Sequence, residues 1–213
     1  MSNFKIIKKY FLFVVGLFFM GLGISLTTKS NLGTSPISSV AYVMSMIFSV
    51  TFGQFTFLLS LIFILIEIII LRKEFPKEQF LQVLVGPFFG FFVDLGMVIF
   101  AFVNPDFYVG KIIALLLGCI ILAWGIYLQI AANVIINPGE GVVKAIALKA
   151  GKEFGIIKII FDSTLVLIAA VISICVFGTI KGLREGTIVS AILVGYFTKI
   201  LSGVFKRFHP AIR

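Results

Sequence analysis

The chain has 213 residues, 60% of them hydrophobic and 13% charged, with a net charge of +9 and a mean hydropathy of +1.18; this is too apolar for a globular chain whose surface must be wetted. The basic excess falls in short clusters between apolar runs, which is a pattern of topology signals and not a nucleic-acid-binding face. Cys119 and Cys175 lie inside apolar runs, and the one histidine is His209, so no disulfide, no metal site and no cofactor are expected.

The first apolar run, 10–27, follows Lys5, Lys8 and Lys9. It imitates a signal peptide, but no small-x-small cleavage site closes it, and it is read as an uncleaved first span. Crossing roughly 30 Å of hydrocarbon takes about 20 apolar residues. Five more segments meet that need: 54–71, 81–103, 111–132, 156–177 and 187–205.

Two apolar stretches, 36–50 and 141–150, are shorter. At 1.5 Å per residue even the first reaches only about 22 Å. Each follows a Gly/Pro/Asn/Ser-rich breaker, Asn31-Leu-Gly-Thr-Ser-Pro36 or Asn137-Pro-Gly-Glu-Gly141, as a half-helix entered from irregular backbone would. If both are re-entrant, Lys5, Lys8, Lys9, Arg72, Lys73, Lys77, Lys144, Lys149, Lys152, Lys206, Arg207 and Arg213 fall on one side. Only Lys29, Lys111, Lys181 and Arg184 then fall on the other. The basic side is cytoplasmic, which places both termini there.

The chain also repeats itself. An offset of 102 lays Gly23 on Gly125, Leu26 on Leu128, Ser35-Pro36 on Asn137-Pro138, Val40 on Val142 and Phe52-Gly53 on Phe154-Gly155. The third span of each half needs a further shift, which aligns Leu84-Val85-Gly86 with Leu193-Val194-Gly195. Residues 1–213 therefore read as a single all-α membrane domain of six transmembrane helices and two re-entrant half-helices. Pseudo-repeats 10–104 and 111–207 enter from opposite sides, because each crosses three times. Inverted repeats interrupted at matching positions point to a transport site near the midplane.

Proline in the first turn of each half-helix leaves no unmet N–H of its own. The remaining N–H groups and the macrodipole favour an anionic or polar ligand there. Ser35, Ser38, Ser39, Tyr42, Ser45 and Ser49 form a hydroxyl stripe along the first half-helix; the four nearest the break are solute-binding candidates and the last two suit helix packing equally well. On the second breaker the candidates are Asn137, Gly139, Glu140 and Gly141, with Gln129 and Asn133 leading in from the preceding span. Capping of a buried helix end is the plainer use of the same residues. Asp94, on a Gly86/Gly90/Asp94 face, and Lys199, on a Gly195/Lys199/Gly203 face, are intramembrane charges, as is Glu140; ion or proton coupling is expected of all three. Glu67 near Arg72 and Asp162 one turn after Lys158 suit local pairing.

The motifs at 31–39, at 137–141 and at Gly182-Leu-Arg-Glu-Gly-Thr187 resemble the bacterial YczE/YyaS/YitT group of membrane proteins over essentially the whole chain. The resemblance implies a bacterial plasma-membrane location and a compact multi-span fold, and it supplies no substrate and no site residues. The leading expectation is a small transporter or permease, in contact with the bilayer and a small polar or anionic solute, with homodimerisation allowed. A sensor or assembly subunit that docks another protein is the competing class and an intramembrane enzyme the third and weakest; a channel follows if the two half-helices meet end to end. No nucleophile and base set, nucleotide loop or zinc-protease motif is present, so no enzyme is expected.

Overall fold

A computed structural model describes residues 3–208, with side chains for 6–203. The basic residues Lys206 and Arg207 therefore enter as backbone alone, and His209 and Arg213 lie outside the described residues. Among the described residues the chain is helical and loop, with no strand. The six spans are α1 (Asn3–Lys29), α3 (Phe52–Leu71), α4 (Gln82–Ile99), α5 (Tyr108–Ala132), α7 (Phe154–Phe177) and α8 (Glu185–Phe208). The two short helices are α2 (Ser39–Ile47), entered through a 3-10 turn at Pro36–Ser38, and α6 (Pro138–Ala150).

Local chemistry sets these limits. Thr51 opens α3 with a capping box, its hydroxyl accepting from the Gln54 N–H while the Gln54 side chain accepts from the Thr51 N–H. Asn137 caps α6 by accepting from the Gly139 N–H at 3.2 Å, with Pro138 in the first helical position. That cap starts α6 three residues earlier than the apolar pattern alone suggests. Helix α4 stops at Ile99, short of the expected 103, because Phe100 leaves helical geometry. Asn31 and Asn133, one repeat offset apart, both turn left-handed just beyond a long helix (φ 58° and 47°), a conformation asparagine tolerates better than most residues.

Helix α1 is the central post, with 61% of its apolar window buried against 17% for α7 and for α8. Glycines let it press on two neighbours. A Cβ on Gly23 would lie 2.6 Å from Leu122 Cα, and one on Gly125 would lie 2.7 Å from the Gly16 carbonyl oxygen. Along α4, Ser25 donates to the Val93 carbonyl at 2.7 Å, beside Gly96. Close approach through small residues is how helices gain contact where lipid offers no hydrophobic drive.

The remaining packing follows an exchange of halves. Helix α1 packs on α4 as α5 packs on α8; α2 on α3 as α6 on α7; and α3 on α6 as α2 on α7. One pairing breaks the rule. Helices α3 and α4 meet along Gly53, Phe57, Gly86 and Gly90, whereas α7 and α8 share no comparable seam, and Gly155, Gly195 and Gly203 have nothing within 4 Å of a Cβ. The outer faces carry exposed Ile69, Phe91, Ile159, Leu167 and Ile192. Apolar surface on this scale is covered by acyl chains, and the chain is a multi-pass, all-helical membrane protein.

Candidate functional site

The two short helices start against each other. Ile37, in the Pro36–Ser38 segment, fills the space beside Gly139 in the first turn of α6, where a Cβ on Gly139 would meet its side chain and lie 3.6 Å from the Phe63 ring of α3. From there they diverge. Helix α6 runs past Glu67, Leu71 and Phe75 to an ion pair between Lys149 and Glu74 (2.8 Å). Helix α2 runs the other way along α3, its Tyr42 ring 5.2 Å from that of Phe52. Helix α7 borders both: Ile157 packs on Val143 and Ala147, Leu165 on Val142, and Ala169 on Val43. Two half-length helices thus fill one lane between α3 and α7, first turn to first turn, with Ile37, Phe63 and Leu165 as an apolar plug where they meet.

The two breakers differ in their surroundings. Around the first, hydroxyls bond within the chain: Ser35 and Ser38 to each other at 3.0 Å, Ser39 to the Pro36 carbonyl at 2.6 Å, and Thr28 to Thr34 at 2.8 Å. All five residues are buried. The 182–187 turn closes over them: the Gly186 N–H donates to the Leu32 carbonyl at 2.8 Å, and Gly182 (φ 79°) lies against Tyr42. Gly33, at φ 112°, leaves room only for a hydrogen beside Thr187 and the Arg184 backbone. The Gly-Leu-Arg-Glu-Gly-Thr motif is therefore the seal of the first breaker.

The second breaker opens onto a cavity of about 320 Å³ whose polar lining is Gln79, Gln129, Asn133, Asn137, Glu140 and Lys144. Four of these are sequence candidates that the fold brings together. Ser35, Ser38, Ser39 and Tyr42 do not line this cavity; the nearest link between the two sets is the Ile37–Gly139 contact. Gly139 and Gly141 serve as spacers, since a Cβ on Gly141 would lie 2.9 Å from Glu67 Cδ.

At and behind that wall lie Gln79 and Gln82, which carry no signal in the sequence, and Glu67, whose sequence neighbours suggest only local pairing. Glu67 is 3% exposed, with its carboxylate against the first turn of α6, and accepts from Gln82 Nε2 at 3.2 Å. The same Gln82 nitrogen donates to Gln79 Oε1 at 2.7 Å, which also accepts from the Ile136 N–H at 3.3 Å. Arg72, the partner that sequence proximity suggests for Glu67, is not paired with it among the described ion pairs. On α7, Lys158 and Asp162 pair at 2.9 Å within electrostatic reach of Glu140.

Asp94 and Lys199 stand apart from this cluster and from each other. Asp94 accepts from the Thr51 hydroxyl at 2.6 Å and from the Gly53 N–H at 2.7 Å, closing the N-terminus of α3. Lys199 is exposed on α8 and has no carboxylate partner among the described ion pairs.

Comparison with known proteins finds relatives in Bacillus subtilis. The chain is 30% identical to the uncharacterized protein YyaS of Bacillus subtilis over 57% of its own length and 60% of that relative, so the match spans less than two thirds of YyaS. It is 25% identical to the uncharacterized membrane protein YczE of the same organism over 90% of its own length and 84% of YczE. No solved structure matches. A family model covers residues 7–203, from the first span through the last, and on that extent the chain belongs to the family of unknown function DUF6198.

Proposed function

We propose that this protein is a small transporter of inverted-repeat type, in a bacterial plasma membrane, that takes a small polar solute at the second breaker. The observation that carries the reading is the meeting of two half-helices, first turn to first turn, between α3 and α7. Broken helices at membrane depth survive only where protein or a water-filled cavity covers their backbone, and such breaks are where transporters of this type bind their solutes. Here one break is sealed and the other is open, as one accessible state of an alternating pathway requires. Lys144 lines the open cavity, and Lys149 and Glu74 tie the ends of α6 and α3 together beside Arg72 and Lys73. By the positive-inside rule the cavity then faces the cytoplasm, with both termini on that side. Transport follows if the two halves rock about the Ile37/Phe63/Leu165 plug, closing the second breaker while the 182–187 turn lifts from the first. No chemical step on the solute is proposed.

Single cysteines test this in a background with Cys119 and Cys175 replaced. Asn133→Cys is expected to react rapidly with a membrane-impermeant thiol reagent from the cytoplasmic face. Ser35→Cys, 4% exposed, is expected to react slowly and only from the opposite face. If Ser35→Cys never reacts from either face, the first breaker is a permanent packing element, and a subunit that docks another protein becomes the better reading.

A further inference from the structure

The charges around the second breaker do not cancel. Glu67, Glu140 and Asp162 converge on α6 from α3, from α6 itself and from α7, against Lys144 and Lys158. Lys158 is committed to Asp162 at 2.9 Å. Two carboxylates then face one ammonium, Lys144, which is itself exposed. A buried uncompensated carboxylate in a membrane is expensive, and Glu67 already occupies the end of α6 where an anionic solute would otherwise sit.

Two amides add a second, independent observation. Gln129 is 7% exposed, lines the cavity, and its Nε2 has no hydrogen-bond partner among the described residues. Gln82 is fully buried and its Oε1 has none either. The orientation of Gln82 is forced, because its nitrogen serves two acceptors, Glu67 and Gln79. An unmet donor on a residue of the cavity wall and a net negative charge define a complementary ligand.

We propose that the cavity binds a small organic cation, a primary amine or ammonium compound that also carries an oxygen acceptor. Its ammonium group lies at Glu140, with Glu67 holding the field through Gln82 and Gln79, and its oxygen accepts from Gln129 Nε2. A bare ion satisfies the charge but not the amide donor. The size of the cavity, about 320 Å³, is at the lower end of small-molecule sites. This narrows the solute class of the transporter reading and rests on that reading's site.

The test reads binding alone, so that it separates from transport. Full-length protein in detergent is heated with ethanolammonium chloride, with sodium chloride at equal ionic strength, and with sodium acetate; labelling of Asn133→Cys is followed in the same three salts. Ethanolammonium is expected to raise the melting temperature and slow labelling several-fold, and Glu140→Gln and Gln129→Leu each to abolish both effects. Glu67→Gln, which keeps the bond to Gln82 in kind, is expected to weaken protection while leaving the melting temperature without ligand near that of the parent. Equal protection by sodium chloride replaces the organic cation with a metal-ion site, and protection by acetate reverses the sign; either result overturns the proposal, as does the absence of protection by ethanolammonium. Protection without uptake into proteoliposomes keeps the proposal and removes the transporter, whereas uptake of another solute without ethanolammonium protection does the opposite.

Discussion

Replacing Gly23 with leucine is expected to lower the melting temperature of the protein sharply. At this point α1 and α5 touch backbone to backbone: a Cβ on Gly23 would sit 2.6 Å from Leu122 Cα and Cβ, and the reverse contact is as tight, since a Cβ on Gly118 would sit 2.7 Å from the Thr27 nitrogen. No rotamer relieves a clash with backbone, so the helices must separate, which also opens the Gly16–Gly125 crossing about two turns away. Over-packing of this kind costs about 1–3 kcal/mol when side chains can adjust. Here they cannot, and the loss is placed at the upper end, about 3 kcal/mol, a large fraction of a typical folding free energy. Gly23→Ala is expected to fall between parent and Gly23→Leu, and Gly155→Ala, which meets nothing within 4 Å, to be close to neutral. Thermal unfolding in mild detergent, read on the three variants and the parent, checks the order. Parent-like melting of Gly23→Leu would mean that the α1–α5 seam does not exist in the membrane.

Asp94→Ala is the second substitution with a large expected effect, and it acts on stability. The carboxylate accepts one hydroxyl and one backbone N–H, at 2.6 and 2.7 Å, on the positive end of α3. Hydrogen bonds to an ionised group contribute about 1.5–3 kcal/mol, and the helix terminus adds a few tenths to about 1 kcal/mol. A loss of about 3 kcal/mol is expected for Asp94→Ala and about 1 kcal/mol for Asp94→Asn, whose oxygen still accepts from Gly53. Thr51→Val combined with Asp94→Ala is expected to lose less than the sum of the two, since they remove one shared bond. The ion-coupling role that an intramembrane carboxylate suggests makes a different forecast: Asp94→Asn would then keep the parent melting temperature and abolish uptake. Melting and uptake measured on the same preparation decide between helix capping and coupling.

How far the sequence could lead is visible in these same residues. The six spans, the two short helices and both breakers could be read from hydropathy and from Gly/Pro/Asn punctuation, because those signals are local. The Gly86/Gly90/Asp94 face was readable as a close-packing stripe, and it packs on α3 through Gly53 and Phe57. The same spacing at Gly195, Lys199 and Gly203 packs on nothing, since a periodic face says that a helix can be approached and not which helix approaches it. Glu67 shows the deeper limit. Its neighbours in the fold, Gln82 and Gly141, are far along the chain, and within its own helix it is one acidic residue near an arginine. Likewise, hydroxyls at Ser35, Ser38 and Ser39 look equally suited to a ligand or to one another; only the 182–187 turn, from the far end of the chain, decides that they are enclosed.

The missing seam between α7 and α8 bears on how the molecule tolerates change. In the first half, glycines at 53, 86 and 90 are pinned by the backbone or rings opposite, so nearly every replacement there is penalised. Their counterparts in the second half face open space or lipid and accept larger side chains at little expense. A saturation scan is expected to show a frozen seam between α3 and α4 and permissive positions at Gly155, Gly195 and Gly203. If the two halves descend from one repeated unit, such unequal constraint lets the permissive one change faster and erases the resemblance between them. The weak match of the third spans, which align only after a shift of several residues, is the trace such drift would leave.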